Sequence, residues 1–246
     1  MVYKFVNSGI EEEAAFSDES VRDIFLPLLK RLTELRQQKE RRIFVMLAAP
    51  PGAGKSTLAS FLQYLSGQNP ALTPLTVIGM DGFHRDQEYL LSHTLVRDGE
   101  EIPMVKVKGT PETFDLDLLK ERVGRVAAGE NCGWPVYDRI LHNPVDNAVA
   151  VTGDIVLMEG NYLLLEAEGW NQLRKYADFT ISIRANEALL RERLIRRKIS
   201  TGVSAAEAEV FVDYSDMYNV RLCQRCGGAA DLILETDGDQ FGIVRQ

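Results

Sequence analysis

Cysteine is scarce. Cys132, Cys223 and Cys226 are the three in 246 residues, an odd, small count that excludes a disulfide framework and suits a reducing compartment. Cys223 and Cys226 form a C-x-x-C, but zinc needs two further ligands and none stands at a recognisable spacing. Two thiols on one helical turn is the simpler account. Long apolar runs are also missing, and none approaches the ~20 residues that span a bilayer. Residues 1–16 carry polar and acidic side chains where a secretory leader would be apolar. Positive charge is short: 28 Lys and Arg against 36 Asp and Glu leave a net charge of −8. That balance disfavours a nucleic-acid-binding surface, so any anion site must be a local cationic patch. The expectation is a cytoplasmic protein with no membrane or nucleic-acid partner. No internal repeat or low-complexity linker divides the chain, and its length and 45% hydrophobic content suffice for one full core.

What is present centres on one stretch. Ile43-Phe44-Val45-Met46-Leu47-Ala48 is a continuous apolar run, followed by Ala49-Pro50-Pro51-Gly52-Ala53-Gly54-Lys55-Ser56-Thr57 and then an apolar-patterned helix. A buried strand feeding a phosphate-cradling loop and a helix N-terminus has this form. Glycines let backbone N–H groups close on phosphate oxygens, and the helix N-terminus adds unsatisfied donors and partial positive charge. Pro51, Gly52, Ala53, Gly54, Lys55, Ser56 and Thr57 are therefore candidate ligands of a nucleoside triphosphate, with Lys55 on the β/γ-phosphates and Ser56 on Mg²⁺. Ala49 stands where the pattern has its first glycine, a position that tolerates a small residue.

Residues 2–16 read as two short strands around Asn7-Ser8-Gly9. Helix signals begin at Ser17-Asp18-Glu19, and Val21, Phe25, Leu28, Leu29 and Leu32 mark one buried face. Arg36, Lys39, Arg41 and Arg42 read as cationic complement to the helix end. Buried strands are expected at residues 43–48, 75–80, 154–158, 179–183 and 231–234, and helices at 55–66, 115–128, 186–199 and 204–224. Residues 85–113 show no clear period, residues 132–144 look loop-like, and the tail is short. The alternation of strand and helix predicts an α/β fold in three layers around a five-stranded, mainly parallel sheet. One domain spans residues 1–246: a hairpin and helix over 1–40, then a core over 41–246. The N-terminal elements offer surface for a homodimer.

In such sheets ligands bind beyond the carboxyl ends of the strands. The second strand delivers Asp81 there and the third delivers Glu159. Asp81 is the candidate general base, although Asp-Gly is also a common turn pair. Glu159 is the candidate organiser of the metal, through a water. Arg193 and Arg197 lie four apart with Arg196 beside them, so one face of the 186–199 helix presents several guanidiniums. They could clamp the triphosphate as a lid over residues 186–203, or form a solvated face with Glu187–Arg191 and Glu192–Arg196 pairs. His84, Arg85, Glu112, Tyr137, Arg139 and Asn161 are the loop residues open to an acceptor substrate.

Ala49-Pro-Pro-Gly-Ala-Gly-Lys-Ser56, Met80-Asp-Gly-Phe-His84, Gly109-Thr-Pro-Glu-Thr-Phe-Asp115, Pro135-Val-Tyr-Asp-Arg139, Met158-Glu-Gly-Asn161 and Arg193-Leu-Ile-Arg-Arg-Lys198 occur in that order. Together they resemble the phosphoribulokinase / uridine kinase / bacterial pantothenate kinase family of P-loop kinases, and most closely a bacterial branch labelled as sugar (fructo-) or nucleoside/nucleotide kinases. The resemblance implies the P-loop NTPase fold with a five-stranded parallel core, ATP and Mg²⁺, and phosphorylation of a small-molecule hydroxyl. It carries the base role onto Asp81 and the lid role onto the arginines near 193–197, and loosely places Asn219 near the adenine. Two features depart from the pattern: Gly82-Phe83-His84 replaces the Ser-Phe-Tyr of uridine kinases, and the first 40 residues have no counterpart in minimal nucleoside kinases. A different expectation is a nucleotide-dependent switch or ATPase acting through a protein partner, but the Asn-Lys-x-Asp guanine-reading motif does not occur.

Overall fold

The computed structural model describes residues 1–7, 10–97, 99–138 and 141–244, the side chains of residues 6, 7 and 10–12 excepted. Ser8 and Gly9 of the expected turn, and the candidate Arg139, lie outside these. Strands β1 (Val2–Asn7) and β2 (Ile10–Ala15) pair antiparallel. Ser17 caps the next helix by accepting from the Ser20 N–H at 3.0 Å. That helix, α1, covers residues 18–39, and its Val21–Phe25 segment is wound as a π-turn. Phe25, Leu28, Leu29 and Leu32 form its buried face. The cations at its end act differently from the expectation. Arg36 reaches Asp154 at 2.6 Å and Arg41 reaches Asp178 at 2.6 Å, so they tie the helix end to the feet of two strands.

β3 (Ile43–Ala48) is the centre of the molecule and is buried throughout. Ile43, Val45 and Leu47 enter one core, while Phe44, Met46 and Ala48 enter the other. A strand covered on both faces must be apolar at every position, which is why its sequence does not alternate. The remaining strands of its sheet are β4 (Leu75–Gly79), β9 (Ile155–Gly160), β10 (Phe179–Ala185), β11 (Leu232–Thr236) and β12 (Phe241–Ile243). Their order is β12-β11-β10-β3-β9-β4. All neighbours are parallel except β12, which runs antiparallel to β11. The sheet therefore has six strands rather than five, the extra one being the short edge strand in the tail.

Two segments expected to be loops hold hairpins. Residues 85–113 contain helix α3 (Gln87–Ser92) and strands β5 (Thr94–Arg97) and β6 (Glu100–Pro103). Residues 132–138 and 143–144 lie in the paired strands β7 (Cys132–Asp138) and β8 (Asn143–Val151). Pro135 sits within the register shift of β7 between Trp134 and Val136, where a missing N–H is tolerated. The other helices are α2 (Lys55–Gln68), α4 (Leu116–Ala127), α5 (Glu187–Ile199) and α6, which covers residues 205–224 with a π-turn at Val212–Asp216. Asp115, Asn186 and Ser204 cap α4, α5 and α6. No described helix is long and apolar enough to cross a membrane.

Candidate functional site

The phosphate loop leaves β3 at Ala48 and enters α2 at Lys55. Gly52 and Gly54 have φ of +81° and +82°, the left-handed region that glycine enters without strain. A Cβ on Gly52 would also meet Leu194 Cγ of α5 at 3.2 Å, whereas the space beside Gly54 is open. Ala49 is not among the described residues with positive φ, so a methyl group fits where the usual pattern has glycine.

Three adjacent strands place the chemistry. β3 delivers Lys55 and Ser56, β9 delivers Glu159, and β4 delivers Asp81, all at carboxyl ends. The Ser56 hydroxyl donates to Glu159 Oε1 at 2.9 Å, and Glu159 is buried. The two expected metal residues are thus in contact. Asp81 sits in the 3-10 turn Met80–Phe83 and is half-buried. Its carbonyl accepts from His84 Nδ1 at 2.8 Å. Burial holds His84 below the ordinary histidine value, so the ring is neutral, with its proton on Nδ1 and a lone pair on Nε2. The ring packs against Phe114 at 4.0 Å and Tyr137 at 5.1 Å.

This corner is braced from behind. Trp134 Nε1 donates to the Gly79 carbonyl at 2.8 Å, and its ring meets Phe83 edge-on at 4.9 Å. Gly82 lies so close to β7 that an added Cβ would stand 2.0 Å from the Pro135 oxygen. Arg85 turns away to Asp115 at 2.7 Å and lies over Tyr89. Glu112 is exposed on the Pro111–Thr113 turn.

The arginine-rich helix divides its roles. Arg193 Nη1 donates to the Gly52 carbonyl at 3.3 Å, beside the phosphate loop. Arg196 pairs with Glu192 at 2.6 Å, as the spacing suggests. Glu187 and Arg191 do not pair with each other. They bind α6 instead, through Arg191–Asp213 at 2.6 Å and Arg221–Glu187 at 3.4 Å, with Lys198 over Phe211 at 3.7 Å. Arg197 is exposed, and with Lys198 it opposes the upward pull of burial on the Asp216 carboxyl.

Asn219 is 2% exposed and its amide nitrogen lies 3.8 Å from where a Gly109 Cβ would be. It stands beside Gly109 of the 108–114 loop. Its Oδ1 has no hydrogen-bond partner. The same holds for buried oxygens of Thr110, Asn161 and Ser215. Thr110 follows Gly109, Ser215 is one turn from Asn219, and Tyr162, next to Asn161, donates to the Gly109 carbonyl at 2.6 Å. Burial without partners marks places that a ligand or water completes. Ser215 carried no signal in the sequence, because no local pattern says which face of α6 turns inward past its π-turn. Cys223 lies on the same face. Burial pushes its thiol up to about 12, against the opposing pull of nearby Lys55, which disfavours the thiolate near neutral pH. Both thiols of the C-x-x-C are free.

Two cavities flank Phe241. One of about 890 Å³ spreads over the ends of β10–β12 and touches no phosphate-loop residue. The other, of about 300 Å³, is lined by Gly52, Ala53, Gly54 and Thr57 together with Arg193, residues 13–16, Gly238, Asp239 and Phe241.

The profile of the phosphoribulokinase / uridine kinase family matches residues 44–236. The chain is 41% identical to the uncharacterized protein YggC of Escherichia coli K12, over 93% of this chain and 92% of that protein. It is 30% identical to a pantothenate kinase of Shewanella loihica, over 85% of this chain and 71% of that enzyme. Among solved structures, a "putative fructose transport system kinase" of Silicibacter superposes with a TM-score of 0.72 at 30% identity, covering 83% of this chain and 98% of that one.

Proposed function

This chain belongs to the phosphoribulokinase / uridine kinase family of P-loop kinases, and on that premise we propose that it transfers the γ-phosphoryl group of ATP to a hydroxyl of a small metabolite. The observation that carries the reading is the alignment of Lys55/Ser56, Glu159 and Asp81 on the ends of three neighbouring strands. The residues fit the donor nucleotide and its ion. The Cβ-free, left-handed positions 52 and 54 suit a phosphate cradle. The hydroxyl and carboxylate oxygens of Ser56 and Glu159 are hard ligands of the kind Mg²⁺ takes, directly or through water. When bound, Mg²⁺ neutralises phosphate charge.

The remaining work falls to this chain's residues. Lys55 and Arg193 hold the phosphates in line and offset their charge, and Arg197 joins them from the exposed end of the 186–203 lid. Asp81 accepts the proton of the acceptor hydroxyl as the bond to phosphorus forms. His84, neutral and fixed on the Asp81 backbone, keeps that turn in place. The acceptor enters on the β9–β4 side, where Asn161, Thr110, Ser215 and Asn219 have oxygens awaiting partners. In this reading Asn219, expected near the adenine, contributes its unpartnered oxygen to the acceptor. A nucleotide switch has no need of such a set of unpartnered oxygens beside the candidate base.

The test is ATP consumption with and without a panel of sugars, nucleosides and pantothenate, with the acceptors named for the relatives, fructose and pantothenate, first. Stimulated turnover by one class supports the reading. If no acceptor stimulates it and nucleotide alters only binding to a protein partner, the switch is the better account.

A further inference from the structure

Beside the acceptor oxygens lies a cation that no acid meets. Lys108 heads the 108–114 loop and is half-buried. Its ammonium donates to Gln87 Oε1 of α3 at 3.3 Å and to the His142 carbonyl at 3.2 Å, and it lies 4.8 Å from the centre of the Tyr137 ring. All three partners are neutral, and both hydrogen bonds are long for an ammonium. Burial alone holds Lys108 below the ordinary lysine value, whereas a nearby carboxylate would raise it. The chain has 36 acids for 28 Lys and Arg, yet among the described residues none closes this ion pair. Arg85, two residues before Gln87, is already spent on Asp115 at 2.7 Å.

The position borders the groups assigned to the acceptor. Contact runs from Lys108 through Tyr137 to His84, whose ring lies 5.1 Å from that of Tyr137 and is held on the Asp81 carbonyl. Lys108 also lowers His84 further by its charge, so the two are electrostatically coupled. On its other side Gly109 accepts from the Tyr162 hydroxyl and lies beside Asn219, and Thr110 follows with its unpartnered oxygen. A neutral donor would brace α3 and the turn before β8 through the same two acceptors without the cost of desolvating a charge. The charge adds to that brace only when an anion meets it.

We infer that Lys108 reads an anionic group on the acceptor, so that the phosphorylated metabolite is a hydroxyl compound that also carries a carboxylate or a phosphate monoester. This rests on the kinase reading and narrows it to one substrate class, with neutral sugars, polyols and nucleosides as poor acceptors. ATP turnover is measured with pairs that differ chiefly in the anionic group: gluconate and glucose 6-phosphate against glucose, glycerate and glycerol 3-phosphate against glycerol, and pantothenate against pantothenol. Expected is a kcat/KM about ten-fold or more higher for an anionic member, since one charge-assisted contact is gained. A preference for the carboxylate or for the phosphate member supports the inference and names the anion. In Lys108→Met the KM of that acceptor rises about ten-fold or more, kcat and the KM of ATP stay within about three-fold, and Lys108→Arg restores most of the loss. Equal turnover of the neutral member, or an unchanged acceptor KM in Lys108→Met, overturns this inference and leaves the kinase reading standing. So does a parallel loss for the anionic and the neutral member, which would make Lys108 a brace only. If no compound of either kind stimulates turnover, the kinase reading falls with it.

Discussion

Gly82→Ala tests the corner that carries the candidate base. The added Cβ would lie 2.0 Å from the Pro135 oxygen, 2.4 Å from its carbonyl carbon and 3.0 Å from the Val136 nitrogen. All three are backbone atoms, so no side-chain rotation relieves the contact. Carbon and oxygen need more than 3 Å, so strand β7 or the Met80–Phe83 turn must retreat by about 1 Å. Overpacking of this kind costs about 1–3 kcal/mol. The Trp134–Gly79 hydrogen bond, 2.8 Å long and in the same contact, adds about 1 kcal/mol if broken. A loss of roughly 2–4 kcal/mol lowers the melting temperature of a chain this size by about 5–15 °C. Asp81 moves with the turn, and a displacement of about 1 Å lowers kcat about 100-fold. Thermal melting and stimulated ATP turnover measure the two effects. A variant that melts within a degree of wild type and keeps its kcat refutes the close-approach argument.

Other perturbations separate the roles. Lys55→Ala should abolish or gravely weaken triphosphate-dependent turnover; near-wild-type kinetics would remove the phosphate loop from the mechanism. Asp81→Asn should leave nucleotide affinity within about two-fold while cutting kcat by 100-fold or more, since one proton acceptor is lost. Loss of nucleotide binding instead would make Asp81 a structural or metal-binding group. His84 is held below its ordinary 6.5 by burial, with Asp81 opposing and Lys108 assisting. Its contribution to stability is therefore complete above 6.5 and is lost as pH falls from there through the lower folded value. Melting temperatures of His84→Asn should depend less on pH between about 5 and 7 than wild type; parallel profiles would contradict this. Asp178 is 7% exposed and takes hydrogen bonds from Arg41 and the Phe44 N–H. Burial would raise its carboxyl, but these bonds and Lys39 hold it below the usual value. Asp178→Asn should cost about 1–3 kcal/mol in denaturant titrations near neutral pH, with the difference from wild type shrinking in acid.

The parts of the fold that were legible in sequence are those whose physics is local. β3 reads as a strand because burial on both faces leaves no polar position, and α4 reads as a helix because Leu119, Val123 and Val126 share one stripe above the Asp115 cap. The hairpins β5–β6 and β7–β8 were hidden because they lie outside the main sheet and expose much of their surface. Val96, for example, is 74% exposed, so no alternation announces the strand. β12 has three residues and is specified by pairing with β11 rather than by its own pattern. In the site, Ser56 and Glu159 could be anticipated as neighbours, since Ser56 follows the phosphate loop after β3 and Glu159 lies at the carboxyl end of β9, the parallel neighbour of β3. Asn219 was placed only loosely, near the adenine, and by resemblance alone. The π-turn at Val212–Asp216 changes which side chains of α6 face inward, and only the packed structure shows that it meets Gly109.

The ties between α5 and α6 have a mechanical consequence. Arg191–Asp213, Arg221–Glu187 and Lys198 over Phe211 fasten the two helices near both ends and the middle. If Arg193 serves the nucleotide and Asn219 and Ser215 the acceptor, as proposed, a swing of α5 that keeps these ties carries both sets, and filling one half of the cleft biases the geometry of the other.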